Sequence, residues 1–524
     1  MIHFTDHRYV EIGKSLMHRR LLVVTIGLCV GILFLSIFRL ESAPPFWFDE
    51  GWTLTAARNW LEKSHYGPFL NGRPASRGME GAFTYTVPIA IAFRVFGVGV
   101  YQGRLVGVVF ALLTLALLCH LTWRLYDGSI AVAALATLTL MSPYPALHPI
   151  VLGRQVLGEM PAFFYLLAGY TCLLLLAPGR NSLAVLLTSF FWALAINTKA
   201  QILPFWSVSI LLPLILMLLY KRWRLALLLG STFIFSCAGS EVSISLWNAL
   251  IKSQTVPRIP LSGLYNAVAL VASLPARLFA LIVLVLFGQP TLLGLCFGVW
   301  SFLKGNNRLE NHLDIIRFSL LILASSWFAW YLFMSVGWIR YFFPVILFGS
   351  IFLADLLCEL TNKFDFSATI KQALSILSRS QVKRQSLGAL LAVLIIGVFV
   401  PRTLYMLYSV YFIEADASVK ETAQFLNTHT APNALIETYD SELFFFLERP
   451  YHFPEDQLHV QLIRRTFLYE SDLQIDYDPL SANPDYLVVG PHSKQWKLYE
   501  PVLQNGAFRL IKTYSRYKIY ERAR

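Results

Sequence analysis

The sequence predicts a polytopic α-helical membrane protein of about eleven transmembrane helices. Interfacial helices occupy its first outer loop, and a small α/β soluble domain ends the chain. Three observations predict this. Of the 524 residues, 56% are hydrophobic and only 14% are charged, far from a soluble average. Apolar runs long enough to cross a bilayer recur along residues 1–404, with Lys and Arg concentrated in alternate connections. From about residue 405 the pattern changes to short strands and helices, with acid slightly in excess of base.

The first span is Leu21 to Phe38. Lys14, His18, Arg19 and Arg20 precede it and keep the N-terminus in the cytoplasm. Pro44-Pro45 follows Ser42-Ala43, so the run reads as an uncleaved anchor. Further spans are expected at 104–123, 129–147, 160–177, 182–197, 202–219, 225–246, 277–300, 316–335, 342–358 and 387–404. The stretch Ala82–Gly97 is apolar but short and carries Arg94. If it crossed, Arg124, Arg180, Lys221-Arg222-Trp223-Arg224, Lys304, Arg308 and the run from Lys363 to Arg384 would all lie outside. Lying flat on the membrane, it leaves all of them inside. Two domains result, 1–404 in the membrane and 405–524 extracytoplasmic.

In the tail, Ser418 and Glu421 have capping-box spacing and open a helix to about Thr428. Strands are expected at Ala434–Thr438, Leu443–Leu447, Asp485–Val489, Phe508–Thr513 and Arg516–Glu521, with a helix from Ser493 to Gln504. The net charge of +12 belongs to the membrane part and is scattered between apolar spans, so no nucleic acid is expected as a partner. Cys29, Cys119, Cys172, Cys237, Cys296 and Cys358 lie in or at the ends of apolar spans with no metal spacing, and read as small core residues.

The polar residues of the outer loops carry the functional reading. Asp49-Glu50 sits among aromatics just past the first span, where two adjacent acids face a desolvation cost. A carboxylate there could accept a proton from an incoming hydroxyl; it could equally cap the helix expected from Thr53 to Lys63. Glu159, ahead of Met160-Pro161, sits at the positive end of a helix. Lys199, Arg340 and Arg154 are cations at outer turns, against the positive-inside trend. Singly they could snorkel to headgroups; together they fit a lipid phosphate, Arg as a fork and Lys as a point charge. A metal cluster of Glu80, His65 and His148 is the minor alternative, and no cofactor is required.

The order of these features resembles the GT-C membrane glycosyltransferases, specifically the branch of bacterial aminoarabinose (lipid A) transferases and protein O-mannosyltransferases. The resemblance runs over about residues 1–360. It rests on Asp49-Glu50, Phe93-Arg94-Val95-Phe96-Gly97, Gly103-Arg104-Leu105, Gly153-Arg154, Gly158-Glu159-Met160-Pro161, Thr198-Lys199-Ala200 and Arg340-Tyr341-Phe342-Phe343-Pro344. It implies inverting transfer of a monosaccharide from a polyprenyl-phosphate carrier to an acceptor hydroxyl on a glycolipid, glycan or protein, at the extracytoplasmic face of the plasma (inner) membrane. It further implies Asp49 as general base with Glu50 and Glu159 as catalytic neighbours. Lys199 and Arg340, with Arg154, would hold the donor phosphate, and Tyr341 and Glu80 would bind substrate. Two departures concern the acceptor side: Met79-Glu80-Gly81 stands where the family often has a proline-containing motif, and Ala200 follows Lys199 instead of Gly. The rival is a transporter or flippase for lipid-linked sugars, which would place charges near mid-span and build matched halves.

Overall fold

The structure, a computed structural model, describes all residues except 1–5, 71, 75–80, 176–180, 252–267, 272, 305–310, 379–383, 415, 455, 469, 471–472 and 524. Eight helices among the described residues are long and apolar enough to cross a membrane: Val100–Leu125, Asn181–Thr198, Ile202–Leu219, Trp223–Leu250, Leu274–Lys304, His312–Phe333, Ile339–Leu360 and the helix within Gln385–His429. Leu21–Ile37 and Gly128–Leu140 are shorter apolar helices at positions expected to span. Glu159–Leu173 occupies the expected span at 160–177.

The expected span 129–147 is shorter than the sequence indicated. Its helix starts where the Asp127 carboxylate accepts from Ser129 N at 2.7 Å and Ile130 N at 3.0 Å. It stops at Leu140, because Pro143 and Pro145 cannot donate to the helical ladder. A 3-10 turn, Pro145–Leu147, and a short helix, Pro149–Arg154, follow.

The apolar stretch after residue 81 forms a helix, Phe83–Phe96. Its 14 residues reach only about 21 Å, short of a bilayer core of about 30 Å. Near its start, Thr84 Oγ1 lies 2.6 Å from Thr198 Oγ1. Near its end, Phe93 stacks on Phe445 of the C-terminal domain at 5.9 Å between ring centroids. Both ends therefore lie at one end of the bundle, so the helix runs along that end and does not cross.

The C-terminal domain has one five-stranded sheet. After a small hairpin in the first loop (β1, Phe69–Leu70; β2, Arg73–Pro74), its strands are β3 (Ile436–Thr438), β4 (Tyr451–His452), β5 (Tyr486–Val489), β6 (Phe508–Thr513) and β7 (Lys518–Arg522). The order is β4-β3-β5-β7-β6, with β3 parallel to β4 and β5 and the remaining pairs antiparallel. The helix Ser418–His429 buries Val419, Thr422, Ala423 and Leu426, one face at helical spacing.

Several local expectations are corrected. Leu443–Leu447 is not a strand; Ser441–Phe445 is a 3-10 turn, because Arg58 draws its carbonyls out, donating to Phe445 O at 2.7 Å and Phe444 O at 3.4 Å. Ser418 does not close a capping box; its N and Oγ donate to the Asp416 carboxylate. The helix expected over Ser493–Gln504 is two, Pro491–Gln495 and Glu500–Gln504, interrupted at Lys497, where φ is +53°. Strand β4 and the helix Asp456–Phe467 were not anticipated. The last membrane helix also runs on through Tyr408 and a π turn, Ser409–Ile413, past the expected boundary at 404.

Candidate active site

Four separate segments converge at the end of the bundle that carries the C-terminal domain. The first is the helix Phe48–Lys63, which starts earlier than expected and holds Asp49 and Glu50 in its first turn. The C-terminal domain clamps this turn: Ser441 Oγ donates to Phe48 O at 2.9 Å. A Cβ on Gly51 would lie 2.0 Å from Ser441 O, so only glycine allows the approach. The second is the Lys199 turn, between helices Asn181–Thr198 and Ile202–Leu219. The third is the start of the helix Glu159–Leu173. The fourth is the 3-10 turn Ile339–Phe342. It is launched by Gly337 at φ +87° and held by Tyr331 Oη donating to Gly337 O and Trp327 Nε1 donating to Tyr341 O.

Two ion pairs form where these segments meet. Arg340 Nη1 donates to Asp49 Oδ2 at 2.5 Å, and Lys199 Nζ donates to Glu159 Oε1. The pairs feel each other. Burial works against the Asp49 carboxylate, but the charge and hydrogen bond of Arg340, with the charge of Lys199, outweigh it and hold Asp49 below the usual range. Burial opposes the Lys199 charge, and Arg340 adds to the opposition, so Lys199 lies below its ordinary value despite Glu159 and Asp49.

Asp49, Lys199, Arg340 and Tyr341 line one cavity of about 630 Å³, a size that suits a small organic ligand. Its walls are aromatic, including Trp47, Trp338 and Trp496. The C-terminal domain contributes Tyr439, His459, Phe467 and His492.

The other sequence-derived candidates go elsewhere. Glu50 is fully buried and paired with Arg104, at 2.9 Å from Nε and 2.8 Å from Nη2. It also accepts from Trp47 N at 2.8 Å and Val156 N at 3.1 Å. Its lone pairs are spent inside the fold, and it does not line the cavity that Asp49 lines. Arg154 is also fully buried. It donates to the carbonyls of Ala43 and Leu35 and sits over the Tyr411 ring at 4.6 Å. It ties the first span to the last and does not reach the cavity. Glu80 lies outside the described residues. His148 cannot join it in a metal cluster, because Nδ1 accepts from Val151 N and Nε2 donates to Thr139 O at 2.8 Å. Among the described residues, no cluster of three metal-ligating side chains forms.

Arg104, Tyr439, His459 and His492 were not singled out from sequence. Arg104 stood inside a quoted motif with no role; the others lie in a domain whose packing against the first loop had no local signal.

No family model matches the chain, and no curated protein matches it. Solved structures do. ArnT from Cupriavidus metallidurans bound to undecaprenyl phosphate aligns over 95% of this chain and 97% of its own, at 14% identity and a TM-score of 0.62. The apo form of that protein aligns at a TM-score of 0.57. The archaeal oligosaccharyltransferase AglB from Archaeoglobus fulgidus, in complex with an inhibitory peptide and a dolichol-phosphate, aligns over 91% of this chain and 70% of its own, at 13% identity and a TM-score of 0.53. The fold is therefore that of the polytopic GT-C membrane proteins.

Proposed function

We propose that the protein moves a monosaccharide from a polyprenyl-phosphate carrier to an acceptor hydroxyl, with inversion, at the extracytoplasmic face of the plasma (inner) membrane. The observation that carries this reading is the meeting of Asp49, Arg340 and Lys199 at one aromatic-walled cavity at the end of a membrane bundle. The likeness to a fold whose solved members bind undecaprenyl phosphate and dolichol-phosphate supports it.

The chemistry follows from the charges. The acceptor oxygen bonds to the sugar's anomeric carbon as the bond from that carbon to the phosphate oxygen breaks. The hydroxyl proton passes to Asp49, and the carrier leaves as a phosphate dianion. Arg340 and Lys199 meet the charge that grows on the phosphate, where fixed cations stabilise the transition state more than the ground state. Among the described residues, Arg340 uses one of its five N–H donors on Asp49, which leaves a fork for a phosphate. Aromatic walls suit the apolar faces of a sugar ring. This chemistry requires no cofactor.

The donor assay is direct. Purified protein is offered radiolabelled undecaprenyl-phosphate sugars or nucleotide sugars, with crude membrane acceptors. Transfer is expected from the lipid-linked donor alone. Lys199→Ala and Arg340→Ala should each lower use of that donor by about 10-fold or more while the protein still inserts, since each removes a hydrogen bond to a charged group, worth about 1.5–3 kcal/mol. Transfer from a nucleotide sugar only, or unchanged donor dependence in both variants, rejects the reading.

Orientation has its own check. With the N-terminus inside and the helix Phe83–Phe96 lying flat, Asp49, Glu159, Lys199 and Arg340 all fall outside; their convergence supports the shared side. Reporter fusions or labelled cysteines at Lys221 and Lys371 should be cytoplasmic, and at Gln457 extracytoplasmic. A cytoplasmic Gln457 overturns the topology.

A further inference from the structure

The C-terminal domain does more than cover the cavity. The helix Asp456–Phe467 points His459 at the same cavity that Asp49 lines. Two contacts fix its ring. Tyr439 Oη and His459 Nδ1 share a short hydrogen bond, and Phe48, next to Asp49 in the chain, stacks on the imidazole with ring centroids 6.2 Å apart. Tyr439 is itself buried and stacked on Phe453 at 5.2 Å, so it is a rigid support. With Nδ1 engaged, Nε2 is the ring nitrogen left for the cavity. Burial, with the charges of His492 and Arg340, outweighs Asp49 and holds the imidazole down to about 4, so it is neutral at ordinary pH. A phenol is a stronger proton donor than a neutral imidazole N–H, so we assign Tyr439 as the donor to Nδ1, which puts the ring proton on Nε2.

We propose that His459 is a substrate-orienting residue supplied by the C-terminal domain: its Nε2–H donates to a hydroxyl oxygen of the sugar or of the acceptor, beside Asp49. The proposal rests on the transferase reading and deepens it. It gives the tail a role in selecting a polyol substrate, with Tyr439 holding His459 in register.

The test uses the full-length protein with undecaprenyl-phosphate sugars as donors and crude membrane acceptors. His459→Ala should lower kcat/KM by roughly tenfold, the value of one neutral hydrogen bond and its desolvated partner. His459→Gln should recover most of the loss, because its amide nitrogen occupies the place of Nε2. His459→Asn should not, because its amide reaches only the place of Nδ1. Tyr439→Phe should give a smaller loss, because both tautomers then become available. A rise in donor KM assigns the hydroxyl to the sugar; a rise in acceptor KM assigns it to the acceptor. Two results overturn the proposal: wild-type kcat/KM in His459→Ala, or equal losses in all three His459 variants that track lowered thermal stability, which is a packing role. A binding titration read by the fluorescence of Trp47, Trp338 and Trp496 keeps the two readings apart. Wild-type protein that binds the lipid-linked sugar without transferring it sinks the transferase reading. His459 is then judged by binding alone: weaker binding in His459→Ala, restored by Gln, supports it, and unchanged binding rejects it.

Discussion

On the proposed mechanism, replacing Asp49 by Asn should lower the transfer rate by about 10²–10⁴-fold and leave the protein folded. The magnitude is that of losing a positioned general base. The substitution is close to isosteric. The Asn amide oxygen still accepts from Arg340, so the turn that carries it keeps its partner. The charge left behind is that of Arg340, which is 23% exposed and still faces the Glu159 carboxylate, so it is not stranded. Donor binding should hold, because Arg340 and Lys199 stay in place. The pH profile gives a second readout. Asp49 is held below the ordinary carboxylate range, where burial raises its pKa but Arg340 and Lys199 lower it further. Its ionised form, the one that accepts a proton, therefore persists through neutral and mildly acid pH and is lost only as pH falls through that low value. Removing Arg340 leaves burial less opposed, so the acid limb of the profile should move to higher pH in Arg340→Ala. Full turnover in Asp49→Asn, or an acid limb that ignores Arg340, rules Asp49 out as the base.

The residues legible in the sequence were those whose charge contradicted their surroundings. Lys199 and Arg340 stood out because they broke the positive-inside trend at two turns, and Asp49 because an acid followed a span among aromatics. Each ended in one cavity. Glu50 had the same type and the same neighbours as Asp49, and one helical step of about 100° separates them. That step turns Asp49 to the cavity and Glu50 into the protein, against Arg104 and Val156. No local pattern distinguishes the two, because the deciding partners lie 54 and 106 residues away. Arg154 misled for the same reason: its acceptors are carbonyls of Ala43 and Leu35, and a carbonyl leaves no mark in a sequence. The segment Leu443–Leu447 looked like a strand because it is short and apolar. Tertiary contacts overrode that propensity, with Phe444 packed on Trp52 and Arg58 taking the carbonyls. The transmembrane pattern was legible because its signal is local. A run of apolar residues long enough to cross needs no partner to be recognised.

The contrast between the two neighbouring acids yields the second large effect. Glu50→Gln, or Arg104→Met alone, should destabilise the protein by about 3–5 kcal/mol, because each strands the other charge in a fully buried site. Glu50 is 0% exposed, as is Arg104, and their contact is a two-pronged fork at 2.9 and 2.8 Å. The remaining polar atoms are engaged as well. Arg104 Nη1 donates to Leu40 O at 3.0 Å and Pro44 O at 2.9 Å, while Glu50 receives Trp47 N and Val156 N. One buried pair thus fastens the chain leaving the first span, the start of the Asp49 helix and the segment before Glu159. Losing either partner should therefore lower the unfolding temperature in detergent and reduce activity together, unlike Asp49→Asn, which should reduce activity alone. The single variants Glu50→Leu and Arg104→Met, with the double variant that combines them, separate charge from packing. Two apolar residues of similar volume leave no stranded charge, so the double variant should lose less stability than the two single variants summed. A Glu50→Gln protein that unfolds at the wild-type temperature, or strict additivity in the double variant, would show that this pair does not hold the first loop in place.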